Sequence, residues 1–229
     1  MAQAGIHAMV GMAVGRWTPD REWLLLGIVI GNLTPDADNL AVAVATVAGV
    51  PTAGLHRTFT HSLFTVAGIM LGFAIAGRIR RRRRWTNLGV GLGIGVLMHV
   101  LLDLLVWFNG VEILWPLDSW VNLWEGVTPP EWWTKLMMPV EFLFLALYFV
   151  ALAGWSREQG TDRRYTRALH IWTAVQAALF VVFLLLVYTM PTGFMVPYGA
   201  LYLVSLGLAL GVTIRMRDTI GWYGRPRAA

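Results

Sequence analysis

Cysteine is absent from the 229 residues. That excludes disulfides and thiolate metal ligands, and it leaves the redox compartment unreadable. Charge is scarce too: 14% of the residues are Asp, Glu, Lys or Arg, against about 25% in an ordinary soluble domain. The opening stretch MAQAGIHAMVGMAVGRW lacks a basic leading region, so it does not read as a cleaved signal peptide. Internal repeats are missing beyond a trivial Thr-Pro-Asp at 18–20 and 34–36, which weighs against a transporter built from repeats.

What is there is apolar. Hydrophobic residues make up 57% of the chain, and the mean hydropathy is +0.60. Five runs, at 59–77, 86–108, 137–154, 169–190 and 197–214, come close to the roughly 20 apolar residues that a bilayer requires. Two shorter runs, 2–16 and 22–33, precede them, and the Ala/Val-rich stretch 40–50 predicts a short helix lying within the protein. The expected fold is an all-α polytopic transmembrane helical bundle, with five clear spans plus two short N-terminal helices. It forms a single integral membrane domain over 1–229, with a metal-site half at 1–118 and additional transmembrane helices at 119–229.

The net charge of +5 sits in blocks. Arg78 and Arg80 to Arg84 form the first, Arg157, Arg163, Arg164 and Arg167 the second, and Arg215, Arg217, Arg225 and Arg227 the third. Each follows an apolar run, which is the pattern of cytoplasmic loops rather than of a nucleic-acid surface. Orienting the spans by these blocks puts every one on the inner side. The loop 109–136 then lies outside, with no arginine and with Trp115, Trp120, Trp124, Trp132 and Trp133 as an interfacial belt.

Once the loop charges are set aside, His7, Asp36, Asp38, His56, Arg57, His61, His99 and Asp103 remain, with Glu141 undecided. Ionisable groups inside membrane segments are costly and face an interior. His99 and Asp103 stand at i and i+4 on one helix face, as paired ligands, as a ligand with its orienting carboxylate, or as a hydrogen-bonded packing pair. Asp36 and Asp38 can converge on one cation or cap the helix that follows. His56 and His61 would diverge by about 140° on one continuous helix. They converge if His56 precedes the helix and His61 lies in its first turn, with Thr58 or Thr60 as the cap. Arg57 is the one arginine that this topology places outside; it suits a bidentate grip on phosphate or carboxylate, or a structural pair with an aspartate. His170 reads as an interfacial residue.

Depth joins these signals. His99 lies about 13 Å below the outer end of its span. His61, Asp36 and Asp38 lie near the outer mouth, and His7 lies midway along the first short helix. Imidazoles and carboxylates without sulfur suit a divalent metal, zinc first, with manganese or iron as alternatives. His7, Asp36, Asp38, His56, His61, His99 and Asp103 exceed what one catalytic zinc requires, so the site can hold one or two ions.

The sequence PDAD, the stretch LHRTFTHSLF, then HVLLD and LWPLD resemble, in order and spacing, the YdjM-like family of membrane-bound metal-dependent hydrolases. The resemblance covers roughly residues 5–118. Its PDxD motif falls on Asp36 and Asp38, its HRxxTHS motif on His56, Arg57, Thr60, His61 and Ser62, and its HxxxD on His99 and Asp103. An early histidine matches His7, and a proline turn matches Trp115-Pro116. Asn39 stands where some relatives have a histidine. A looser similarity runs to zinc-dependent phospholipase C. The resemblance implies metal-dependent hydrolysis.

Together these readings predict a membrane-embedded metal-dependent hydrolase in the cytoplasmic (inner) membrane, its active site towards the outer side. A membrane lipid or other amphiphilic anionic substrate is expected, a phosphoester or pyrophosphate lipid first, and no nucleic acid. Asp38 is the candidate general base or second-metal ligand, and Arg57 the candidate phosphate holder. An ion or metal transporter using the same residues, or a scaffold binding a protein through the tryptophan-rich loop, are the alternatives. The sequence does not set the oligomeric state.

Overall fold

The structure is a computed structural model, and it describes residues 4–190 and 193–222. Arg225, Arg227 and the start of the expected 2–16 run lie outside the described residues. A backbone in hydrocarbon must satisfy its own polar groups, so the apolar runs become helices. In chain order these are α1 (Ala4–Ala13), α2 (Leu24–Leu33), α3 (Asn39–Ala48), α4 (Leu63–Ile79), α5 (Arg83–Val106), α6 (Glu131–Gln159), α7 (Thr166–Thr189), α8 (Met195–Arg215) and α9 (Arg217–Trp222). The described residues hold four helices long and apolar enough to cross a membrane: α5, α6, α7 with the turn before it, and α8.

The fifth expected span is shorter than its apolar run. Residues Phe59–His61 form a separate 3-10 turn, Ser62 is extended, and α4 starts only at Leu63. Neither Thr58 nor Thr60 caps it. Ser62 does, its hydroxyl accepting from the Phe64 amide at 3.2 Å. The stretch 40–50 also departs from expectation. It forms α3, ended by Gly49 in the left-handed region at φ +67°, but the helix lies at the surface, with only Ala45 buried. Leu40, Val44 and Val47 share its exposed face. The loop 109–136 contains a small hairpin, β1 (Val111–Glu112) paired antiparallel with β2 (Trp120–Val121), Val111 opposite Val121.

The core sits where α1 and α2 meet α6. Phe142, Leu145, Tyr148, Phe149 and Leu152 of α6 pack with Ala4, Ala8 and Met12 of α1 and Leu25 and Val29 of α2. Tyr198, Tyr202 and Leu206 of α8 close the far side. Nearly every side chain of α2 is buried, as an all-apolar helix requires.

The closest helix crossing positions the site. A Cβ on Gly27 or Gly31 of α2 would strike the backbone carbonyl of Leu88 or Leu92, and one on Gly91 or Gly95 of α5 would strike that of Leu24 or Ile28. Glycine at these four places lets the two backbones touch, the arrangement small residues permit in membranes. Continued by two more turns, the same face of α5 carries His99 and then Asp103. The glycine contact therefore presses the polar end of α5 against the C-terminal end of α2.

Candidate metal centre

At that end the backbone fixes the first imidazole. His99 Nδ1 lies 2.8 Å from the Asn32 carbonyl of α2. A carbonyl only accepts, so Nδ1 carries the proton and Nε2 carries the lone pair. Nε2 is buried with no hydrogen-bond partner. It lies 3.9 Å from Asp36 Oδ1 and 3.9 Å from Asp103 Oδ2, too far for hydrogen bonds. His99 and Asp103 therefore do not form the hydrogen-bonded packing pair.

The second imidazole is fixed by a relay. The Thr60 hydroxyl donates to Asp38 Oδ2 at 2.7 Å, which uses its only proton. His61 Nδ1, 2.9 Å from the Thr60 hydroxyl oxygen, must then donate to it. The lone pair of His61 again falls on Nε2, unpartnered and 3.7 Å from Asp103 Oδ2. His61 lies in the turn outside α4, and burial holds its pKa well below the ordinary histidine value, with His99 lowering it further. Its imidazole is neutral at neutral pH.

Asp38 organises the outer edge. Its Oδ1 accepts from His56 Nδ1 at 2.7 Å, and its Oδ2 accepts from the Arg57 amide at 3.2 Å as well as from Thr60. It sits at the N-cap position of α3 but makes no capping hydrogen bond. Asn39 donates to the Asp36 carbonyl at 2.9 Å and to Asp38 Oδ1 at 3.3 Å. His56 keeps an unpartnered Nε2.

His7, from α1, puts Nε2 3.2 Å from Asp103 Oδ1 and stacks on His99 with ring centroids 3.6 Å apart. Arg57 puts Nε 3.2 Å from Asp103 Oδ2, so the Arg–Asp pair is formed. Its Nη1 remains buried without a hydrogen-bond partner. Arg57 also holds a left-handed backbone at φ +63°, a costly place for a side-chain-bearing residue. The Glu112 amide clamps it from outside, donating to the Arg57 carbonyl at 2.9 Å.

Three ligand groups result, each with its donor atoms within 4.8 Å of one another: His7, His99 and Asp103; Asp36, His61 and His99; Asp38, His56 and His61. Shared histidines join them into one cluster. Two donors on a tetrahedral ion at about 2.1 Å stand about 3.4 Å apart, close to the 3.7–3.9 Å observed here. With neutral imidazoles, the three carboxylates and one guanidinium leave two negative charges, which a divalent cation would balance. Buried polar atoms left unpaired are rare in folded proteins, and here they face one another. The cluster could hold a divalent metal ion.

All eight expected residues thus meet in one place. His170 is exposed and apart from it. Sequence reasoning missed Asn32, which sets the His99 tautomer, and the part played by Glu141. The Glu141 carboxylate is fully buried on α6, and both its oxygens lie 2.9 Å from the Gly5 amide in the first turn of α1. It satisfies that amide and so holds the helix that carries His7 against α6. Sequence reasoning also missed the Ser62 hydroxyl bond to the Trp115 carbonyl at 2.8 Å, which ties the HRTFTHS segment to the tryptophan loop.

A sequence model of the YdjM inner membrane protein family matches residues 1–196. The chain belongs to that family. The match runs well past the motif region 5–118 and takes in α6 and α7, which no motif had assigned. The YdjM description gives a membrane and no reaction. No curated protein and no solved structure matches the chain.

Proposed function

We propose that the chain is a metal-dependent hydrolase that acts on an amphiphilic phosphoester or pyrophosphate lipid at the outer leaflet. One observation carries this reading. The Nε2 atoms of His61 and His99, buried with no hydrogen-bond partner, lie 3.7 and 3.9 Å from Asp103 Oδ2, and that of His99 lies 3.9 Å from Asp36 Oδ1, in a cluster with excess negative charge. These four residues would hold the ion, with zinc the best match to the donors. His7 would orient Asp103 through its second oxygen, as a hydrogen-bonded partner behind a ligand does.

A divalent ion held there supplies Lewis acidity towards a phosphoryl oxygen and a water. Arg57 brings an unused Nη1 to the same place, where it can grip a phosphate oxygen while Asp103 holds its Nε. Asp38, the expected base, has both oxygens occupied by hydrogen-bond donors. Its place suits orientation of His56, whose free Nε2 is the better acceptor and whose side chain is 19% exposed. The Asp38, His56 and His61 group leaves room for a second ion instead.

The test is elemental analysis of the purified protein beside His61→Ala, with hydrolysis of a polyprenyl diphosphate and of phospholipid vesicles. The reading expects a stoichiometric transition metal and activity, both lost in His61→Ala. A protein without stoichiometric metal and inert towards both substrates overturns it. Zinc flux into proteoliposomes that His61→Ala abolishes would favour the transporter instead. The later helices offer that reading little support, since Gln176 is paired with Ser205 and Tyr148 with Thr213.

A further inference from the structure

The six arginines around the turn from α4 to α5 do not share one fate. Arg80 stacks on Trp85 with its Cζ 4.8 Å from the ring centre. Arg84 lies over Trp23 at 4.4 Å and meets Glu22 at 3.4 Å. The other four, Arg78, Arg81, Arg82 and Arg83, line a single cavity of about 580 Å³ together with Thr86, and no carboxylate lines it.

The fold builds this concentration. A Cβ on Gly77 would collide with the Thr86 hydroxyl, so the glycine brings the last turn of α4 onto the first turn of α5. The connection is tight. The Arg81 amide donates to the Arg78 carbonyl at 3.2 Å, the Arg82 amide donates to the Gly77 carbonyl at 3.0 Å, and Arg81 takes φ +51°. Arg82 stands at the N-cap of α5 and caps nothing with its side chain. Four arginines therefore line one cavity at the positive end of a 24-residue helix, where cations are unfavourable and anions are favoured. Fixing topology requires only the number of arginines near a span, not this arrangement.

We propose that this cavity binds the headgroup of an anionic membrane lipid carrying two phosphates. One phosphate would leave most of the four charges unanswered, and two would bring charge and hydrogen-bond acceptors for paired guanidiniums. Ala74 and Ile75 supply an apolar edge, which a free phosphate would not use and the first carbons of a lipid chain would. Basic pockets between membrane helices are suited to such headgroups. The site is separate from the metal centre and does not depend on the hydrolase reading.

The experiment is native mass spectrometry of the detergent-solubilised full chain, titrated with diphosphatidylglycerol, phosphatidylglycerol and sodium pyrophosphate. Diphosphatidylglycerol is expected to bind most tightly. The double variant Arg82→Gln/Arg83→Gln should weaken it by about thirtyfold, while Arg163→Gln/Arg164→Gln, with equal loss of charge, should leave it within about twofold. Arg78→Gln, at the end of α4, covers the case in which the double variant does not fold, and should cost about fivefold. Equal binding of phosphatidylglycerol, equal loss in the Arg163/Arg164 control, or wild-type binding by Arg78→Gln overturns the proposal. Pyrophosphate binding as tightly as diphosphatidylglycerol would make this a free-anion site and overturn it as well.

Discussion

Replacing Asp36 with asparagine should reverse sign with metal. The side chain is buried, no ion-paired arginine holds it, and its Oδ2 has no hydrogen-bond partner. Asparagine keeps the shape and removes the charge. Asp36 Oδ1 and Asp103 Oδ2 each lie 3.9 Å from His99 Nε2. They are therefore at most about 8 Å apart and repel by about 2 kcal/mol at an effective dielectric constant near 20. Without metal, Asp36→Asn relieves that repulsion and should melt about 4–8 °C higher than the wild type. With zinc at about a thousand times its dissociation constant, the wild type gains about 4 kcal/mol from binding. The variant lacks one ligand and loses most of that gain. Thermal melts in detergent, with chelator and with added zinc, should show the two proteins changing order. If Asp36→Asn is less stable in both conditions, the carboxylate is a structural acceptor and the charge argument fails.

Arg57 separates strain from chemistry. Arg57→Gly and Arg57→Ala both remove the partner of Asp103 and should both abolish hydrolysis, but glycine suits φ +63°, so Arg57→Gly should be about 1 kcal/mol more stable than Arg57→Ala; equal melting of the two variants would contradict the backbone reading. Gly95→Val drives a side chain into the Ile28 carbonyl and should lower metal affinity through His99, one turn further on, as read by competition with a chelator. Unchanged affinity would mean that the crossing does not set the site. Ser62→Ala removes the α4 cap and the tie to Trp115 and should cost about 1–2 kcal/mol in chemical denaturation with metal still bound.

Membrane composition made the candidate ligands legible. In a chain with so little charge, His7, Asp36, His99 and Asp103 have no ordinary surface role, so they stand out as a set although each is a weak signal alone. Their partners do not. The Thr60 relay depends on a threonine meeting Asp38 across 22 positions, and threonine is unremarkable anywhere. The carbonyl of Asn32 could belong to any residue; only the α2–α5 crossing selects it. The stripe Gly91, Gly95, His99, Asp103 was present at regular four-residue spacing. Its meaning needed the matching stripe Gly27 and Gly31 on another helix, and nothing local links the two. The start of α4 was misplaced because hydropathy registers Phe59 and Phe64 alike. It is blind to the extended Ser62 between them, and that break turns His61 away from the helix and into the site.

The same logic explains why the later helices belong with the site. His7 can reach Asp103 only if α1 keeps its position, and α1, described over Ala4–Ala13, is short. A helix of that length is marginal unless packing holds it. Its Gly5 lies so close to α6 that a Cβ would run into the Glu141 carbonyl, and the Glu141 carboxylate closes over the Gly5 amide. The contact is steric and electrostatic at once, and both parts come from one turn of α6. A carboxylate there, fully out of water, is stable only with that helix end opposite it. Removal of α6 would therefore free α1 and take His7 from the cluster, although no α6 side chain is among its candidate ligands. The family match that continues through α6 and α7 to residue 196 accords with a site whose support extends well beyond its motifs.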